Sequence, residues 1–326
     1  MKNNKVIAVA GLVAVGVFLI LLPFVLSRYY IDLSVVFLLN VIMAVSFRLI
    51  STTGDFSLAH VPLMGMGAYA SAVMTKKLGL PFFLALPLSG ITAMMVGLMM
   101  LYPLIRMKEF AFFIGSYAIG EALRLSWVRL DIFGGHRGIS SIPSPKLIIP
   151  GLVSIDFYEI IPYYFLVALI TIVCLLCMYL IDRSRMTEIF HAIHAEPELV
   201  KSVGYNITSY RIVAFEIGTF FAGISGALVA HHMGHIDPHQ FELTTGLYLL
   251  IWVVVGGYAT FWGPIIGVTF FAVVGEWMRI FGAWMPFVYG IILIVSLLFL
   301  PEGIESLPKR IAQFFKKETT IQQAAG

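Results

Sequence analysis

The sequence predicts an all-α membrane protein, a polytopic transmembrane helical bundle of about ten membrane segments. Apolar residues make up 60% of the 326 residues, charged residues make up only 12%, and the mean hydropathy is +0.94. Soluble domains carry about 25% charged residues. The apolar excess is therefore typical of helices in lipid, and the small net charge of +3 gives no indication of a nucleic-acid partner.

Ten apolar stretches account for most of residues 6–300, and two of them are unusual. The ten predicted segments are 6–26, 33–50, 57–75, 81–102, 110–128, 159–181, 211–232, 243–258, 264–281 and 285–300. Segment 57–75 is rich in small residues, including Gly65 and Gly67, and segment 243–258 is short and ends at Gly256 and Gly257. Both segments can be broken or re-entrant, with these glycines in a pathway or gate, or the small residues can simply allow close packing.

The distribution of positive charge predicts the orientation. If all ten segments cross, both termini lie on one side, and 13 of the 21 lysine and arginine residues fall on that side against 8 on the other. This bias favours a cytoplasmic N-terminus, a cytoplasmic loop at 182–210 and a short basic cytoplasmic tail at 301–326. The Gly-, Pro- and Ser-rich stretch 129–158 then forms an outer loop, and residues 1–326 form a single transmembrane domain.

Several stretches carry a resemblance to one family. The inner-loop stretch HAIHAEPELVKSVGYN is similar to the cytoplasmic loop of ATP-binding-cassette importer permeases, in which an acidic helix is followed by a glycine. Further matching stretches follow the family's order: STTGDFSLAHVPLMGMGAYASAV, IRMKEFAFFIGSYAIGEALRL, FGGHRGISSIP, IDPHQFELTTGLYLLIWVVVGGYATFWGPIIGV and LPEGI. Together they resemble the branched-chain amino acid permease family, in its larger, LivM-type permease subunit.

The resemblance implies a transport subunit of the bacterial cytoplasmic (inner) membrane that forms the translocation pathway for branched-chain or related small amino acids. It implies a paralogous permease subunit, two cytoplasmic ATPase subunits that bind ATP and Mg, and a solute-binding protein as partners, in addition to membrane lipid. The chain has no GxxxxGK[ST] phosphate loop, so we expect no enzyme activity of its own. Departures from the family at Phe133, Tyr258 and Ala259 leave other amino acids, urea, amides and aromatic acids open as substrates.

The inner loop contains the residues that we expect to receive work from the ATPases. Ala195, Glu196, Pro197, Glu198 and Gly204 form this candidate coupling site. Glutamates near a helix start suit the helix dipole, proline fits the first helical turn, and glycine can end a helix in a left-handed conformation. The residues alone fit a solvated loop equally well, and the resemblance favours coupling.

Carboxylates within membrane segments are usually functional. Glu121 is followed three residues later by Arg124, and Glu276 by Arg279, so each pair shares a helix face and can neutralise itself locally. Glu121 is nevertheless a candidate residue of the translocation pathway or its gate. Glu216 has no basic residue at such a spacing.

Two other functions remain as alternatives. The first is a self-contained secondary transporter driven by an ion gradient, although the sequence shows no convincing internal repeat. The second is an intramembrane metalloenzyme, for which His231, His235 and His239 offer imidazole ligands. Because Gly234 and Pro238 interrupt this stretch and HExxH is absent, we expect a histidine-rich outer turn without a metal.

Overall fold

The computed structural model describes residues 21–107, 109–149, 153–300 and 302–307, and most of them are helical. The helices within these ranges are α1 (Arg28–Ser51), α2 (His60–Lys76), α3 (Phe82–Leu104), α4 (Glu109–Arg129), α5 (Ile160–Asp182), α6 (Arg185–Ala195), α7 (Pro197–Ser202), α8 (Ile207–Met233), α9 (Leu243–Gly256), α10 (Gly263–Met278) and α11 (Met285–Phe299). Short 3₁₀ helices lie at Asp131–Phe133, Gly135–Arg137, Pro238–Phe241, Arg279–Trp284 and Ile304–Ser306.

The predicted segments from 33–50 onward coincide with helices. They correspond to α1–α5 and α8–α11, which confirms the all-α class. Segment 6–26 and the tail 301–326 fall mostly outside the described residues, although residues 21–25 are helical. Five described helices are long and apolar enough to cross a membrane: α1, α3, α5, α8 and the helical stretch Met285–Ser306. The count of about ten spans stays a prediction.

The two unusual segments each form a continuous helix. Helix α2 contains 17 residues and α9 contains 14. At 1.5 Å per residue these helices are about 26 and 21 Å long, shorter than a hydrocarbon core of about 30 Å. Neither helix contains a break, and non-helical residues precede α2 and follow α9.

Helix α8 is the centre of the bundle and packs against α1, α2 and α3. Small residues allow this close approach. A Cβ added at Gly223 of α8 would meet Gly90 of α3, and one added at Gly218 would meet the Ser46 carbonyl of α1, each within 3 Å. On α2, Gly67 lies directly against Gly223. The backbones of three neighbours thus lie in van der Waals contact with one helix.

The outer loop is more ordered than its glycine and proline content predicts. Strands β2 (Lys146–Ile149) and β3 (Val153–Asp156) form an antiparallel hairpin in which Lys146 is opposite Asp156. Strand β1 (Ile139–Ser140) pairs with β4 (His235–Ile236), which follows α8. This pairing fastens the outer loop to the end of the central helix.

The connections fall at two ends of the bundle. The α1–α2 turn, α6, α7, the α9–α10 turn and residues 303–306 lie at one end, called here the inner end, where Glu305 accepts hydrogen bonds from Thr260. The 129–158 loop, β4 and the start of α1 lie at the opposite, outer end. Successive helices of the bundle are therefore connected at alternate ends, which agrees with the order of inner and outer loops predicted from the sequence.

Candidate coupling site at the inner end

Two short helices make up the predicted inner loop. Helices α6 and α7 are separated at Glu196, whose φ of −147° and ψ of 82° are not helical. Pro197 occupies the first turn of α7, where its missing N–H leaves no hydrogen bond unmade. Gly204 follows α7 with a φ of +96°, a left-handed conformation that other residues rarely adopt. Ala195 and Glu198 lie in the last turn of α6 and the first turn of α7.

Helix α6 is docked on the bundle. Its side chains Phe190 and Ile193 are buried. His194 lies against Gly54 of the α1–α2 turn, where an added Cβ would be 2.7 Å from the imidazole Nδ1. The His194 ring centroid is also 6.3 Å from that of Tyr258 in the α9–α10 turn. A displacement of α6 would therefore push directly on two inner-end turns.

Helix α7 presents an apolar edge to the outside of the fold. Val200 is buried, whereas Leu199 is 63% exposed and Val203 is 69% exposed. Leu199 and Val203 are four residues apart and so lie on the same side of the chain as it winds out of α7. Such a pair at i and i+4 is the kind of anchor by which a helix inserts into a groove of another protein.

A buried arginine joins three inner-end elements next to α6. Arg48, near the end of α1, is 1% exposed. Its Nη1 donates to Asp182 Oδ1 at the end of α5 at 2.6 Å, and its Nε donates to the Tyr258 carbonyl at 3.1 Å. A third bond runs from Nη2 to the Ala259 carbonyl at 3.3 Å. The guanidinium thus ties together α1, α5 and the α9–α10 turn.

A second arginine joins the central helix to the same end. Arg211, at the start of α8, donates from both Nε and Nη2 to the carboxylate of Asp55 in the α1–α2 turn. Its Nη1 donates to the carbonyl of Ile105 after α3 at 3.4 Å. Neither ion pair could be predicted from the sequence, because each joins residues more than 130 positions apart.

One histidine of α6 is close to this charge network. Burial and the positive charge of Arg48 lower the pKa of His191 below its ordinary value of 6.5, and Asp182 offsets part of this shift. The neutral imidazole is therefore favoured in the folded protein.

The membrane carboxylates have different environments. Glu121 accepts a hydrogen bond from Arg124 Nε at 2.9 Å, so the predicted local pair is formed. Glu276 accepts a bond from the Tyr29 hydroxyl at 2.7 Å, and Arg279 lies 3.9 Å from its other oxygen. Glu216 Oε1 is buried without a hydrogen-bond partner among the described residues.

The glycines predicted to line or gate a pathway pack closely against neighbouring side chains and backbone. Gly65 faces the rings of Trp127 and Phe241. Gly256 and Gly257, at the end of α9, face the backbones of Gly263 and Gly303 respectively, and Gly257 also faces Glu305. Their contacts agree with the close-packing interpretation, and a role in gating stays a prediction.

The histidines of the HHMGHIDPH stretch each have a different environment. His231 is buried between Ser71 Oγ at 3.0 Å and the Pro143 carbonyl at 2.8 Å. His235 Nε2 lies 3.2 Å from Asp237, and His239 Nδ1 lies 2.7 Å from Glu242. Among the described residues no three His, Cys, Asp or Glu side chains are grouped as metal ligands would be.

Comparisons with known proteins identify the family. The profile of the branched-chain amino acid transport system / permease component family matches residues 29–299. The chain is 26% identical over 317 residues to the high-affinity branched-chain amino acid transport system permease protein LivM of Salmonella typhimurium, covering 90% of this chain and 74% of that protein. The LivM protein of Escherichia coli is 25% identical with the same coverage.

A shorter match concerns a sugar permease, the fructose import permease protein FrcC of Rhizobium meliloti, which is 25% identical over 142 residues, or 41% of this chain and 39% of that protein. No solved structure gives a significant match. The family profile spans almost all of the described residues. The chain belongs to the branched-chain amino acid transport system / permease component family.

Proposed function

We propose that this chain is a permease subunit of an ATP-binding-cassette importer, through which branched-chain or related small amino acids cross the cytoplasmic membrane of a bacterium. It works with a paralogous permease subunit, two cytoplasmic ATPase subunits that bind ATP and Mg, and a solute-binding protein. The inner end and both termini face the cytoplasm. Amino acids are favoured because the two LivM proteins combine 25–26% identity with 90% coverage of the chain. The fructose permease matches over only 41% of the chain, and an autoinducer 2 import permease of Escherichia coli, LsrC, covers 91% at a lower identity of 22%.

The observation that carries the proposal is the exposed apolar edge of α7. Leu199, in the six-residue helix α7, and Val203, which directly follows that helix, are both more than half exposed. Two exposed apolar side chains on the same side of a short helix outside the predicted membrane segments match the spacing by which helices dock into a groove of a partner. Because the segment belongs to the 182–210 loop, for which the distribution of lysine and arginine over the whole chain favours the cytoplasmic side, the partner is a cytoplasmic subunit. The chain itself has no GxxxxGK[ST] motif for binding ATP.

The contacts of α6 supply a route from that partner to the membrane helices. Force on α7 would reach α6, which bears on Gly54 and approaches Tyr258. From there the Arg48 bonds lead to α1 and α5, and the Arg211 bonds lead to α8. A packed lever of this kind moves as a rigid body between discrete arrangements, because packed elements do not deform continuously.

The experiment replaces the apolar edge and measures coupling. The double variant Leu199→Ser, Val203→Ser should lose copurification of the ATPases and ATP-dependent uptake of leucine in proteoliposomes of the complete importer. The matched control is Leu130→Ser, Ile132→Ser, which removes two exposed apolar side chains at the outer end and should keep both properties. Full uptake by the α7 double variant would show that α7 is not the docking site.

A further inference from the structure

The outer end contains a cavity that the coupling mechanism does not use. Its volume is about 630 Å³, which lies within the range of about 300–1,000 Å³ of small-molecule sites. It opens between the start of α1, the end of the β2–β3 hairpin, the start of α5 and the end of α8. We call it the outer cavity and define it by Arg28, Tyr29, Asp32, Phe157, Tyr163 and His232.

Charges of both signs line one wall of the outer cavity. Arg28 and Asp32 are four residues apart in α1 and therefore share a helix face. They form no ion pair with each other, and Arg28 has no ion-pair or hydrogen-bond partner within the described ranges. Asp32 uses one oxygen toward His232 Nε2 at 3.1 Å, and its side chain is 56% exposed. A cation and part of an anion are thus left available side by side.

The other residues that define the outer cavity are aromatic, and two of them are held in place by hydrogen bonds or ion pairs. His232 stacks on Tyr163 with a centroid distance of 5.4 Å and an interplanar angle of 18°. The Tyr163 hydroxyl donates to the Leu228 carbonyl at 2.6 Å. His232 is in turn fixed by its contact with Asp32 at 3.1 Å. Phe157 adds apolar surface. Preorganised walls of this kind lower the entropy lost when a ligand binds.

We propose that the outer cavity binds a small zwitterion, an amino acid with an apolar side chain, on the outer face of the permease. Arg28 receives the ligand carboxylate through its planar fork of N–H donors, and the free oxygen of Asp32 accepts from the ligand ammonium. The apolar side chain of the ligand lies against Phe157. The hydroxyl groups of a neutral sugar can hydrogen-bond to both side chains but bring no opposite charge to either, so the cavity favours the zwitterion.

The choice of ligand rests on the proposed function, but the binding test needs no ATPase. Equilibrium binding of radiolabelled leucine is measured on the purified full chain in detergent. We expect saturable binding that weakens about tenfold or more in Arg28→Gln and in Asp32→Asn, since each loses a charge-assisted hydrogen bond. Arg137→Gln and Asp131→Asn each remove a charge from an exposed residue of the outer loop that does not line the cavity, and both should leave binding unchanged.

Competition by leucine analogues tests whether both charges of the ligand are needed, and a change of lipid tests whether a lipid headgroup occupies the cavity instead. Isopentylamine lacks the carboxylate, 4-methylpentanoate lacks the ammonium and fructose lacks both charges, so all three should compete poorly. A phosphatidylethanolamine headgroup is also zwitterionic, and loss of leucine binding in nanodiscs of that lipid, but not of phosphatidylglycerol, would assign the cavity to lipid and overturn the proposal.

Absent leucine binding, or equal binding in both cavity variants, would also overturn the outer-cavity proposal. ATP-driven import that persists in such a case would leave the proposed function intact. Conversely, leucine binding to a chain that shows no ATP-driven import would preserve the outer-cavity site and contradict only the proposed function.

Discussion

The contact between α2 and α8 makes a quantitative prediction for Gly67→Ala. A Cβ at Gly67 would lie 2.7 Å from the Gly223 carbonyl carbon and closer still to the Gly223 Cα and oxygen. Favourable carbon contacts begin at about 3.5 Å, so the two helices would have to separate by about 1 Å. Because every blocking atom belongs to the backbone, no side-chain rotation can relieve the overlap.

The size of the effect follows from the same contact. Overpacking of a close-packed interior costs about 1–3 kcal/mol. Separation of α2 from α8 would also loosen the contact of Gly226 with the Met64 carbonyl, one turn away on each helix. We therefore expect Gly67→Ala to reduce the free energy of unfolding by about 3 kcal/mol, the upper end of that range.

Reversible unfolding in mixed micelles of dodecyl maltoside and sodium dodecyl sulfate, followed by circular dichroism, measures this free energy. Gly290→Ala is the matched control, because a Cβ at this helical position in α11 meets no heavy atom within 4 Å. Alanine favours a helix over glycine by up to about 1 kcal/mol, so the control should be unchanged or more stable. A Gly67→Ala protein as stable as the wild type would refute the close approach of α2 and α8.

Three further predictions concern the inner end. Breaking the Arg48–Asp182 pair with Arg48→Met should cost about 3–5 kcal/mol of unfolding free energy, and a double-mutant cycle with Asp182→Leu should show strong coupling; additive effects would contradict a direct ion pair. Gly204→Val should impair ATP-dependent uptake, because valine is strained at a positive φ. Gly79→Val is the matched control, since Gly79 has a similar positive φ and equally open surroundings, and it should not impair uptake. Equal effects of both variants would mean that strain at Gly204 has no special role. The pKa of His191 is lower than 6.5 in the folded state, so the unfolded chain binds the proton more readily. The free energy of unfolding should therefore fall as the pH drops below about 6.5. The fall should be smaller in His191→Gln, and an equal fall would exclude His191 as its cause.

The helices could be predicted from the sequence because the signal for each one is local. A run of apolar residues defines a membrane segment without reference to the rest of the chain. The same holds for Glu121 and Arg124, whose spacing of three residues brings them together on one helix turn. Pro197 and Gly204 likewise mark the ends of α7 by their own backbone preferences.

Long-range partners could not be predicted in this way. Arg48 appears in the sequence only as an inner-end positive charge, and nothing nearby indicates its bonds to Asp182 and Tyr258. The outer cavity likewise combines residues from α1, the hairpin, α5 and α8, which meet only in the folded bundle. The hairpin itself was missed because glycine and proline mark turns without showing which short stretches between them will pair.

Uptake by the isolated chain compared with the assembled importer tests the central claim most directly. Radiolabelled leucine uptake is measured in proteoliposomes that contain this chain alone, or this chain with the second permease, the two ATPases and the solute-binding protein. The proposal predicts uptake only in the complete assembly, only with hydrolysable ATP, and without dependence on an ion gradient. Uptake by the chain alone, driven by a proton or sodium gradient, would contradict the proposal and identify a secondary transporter.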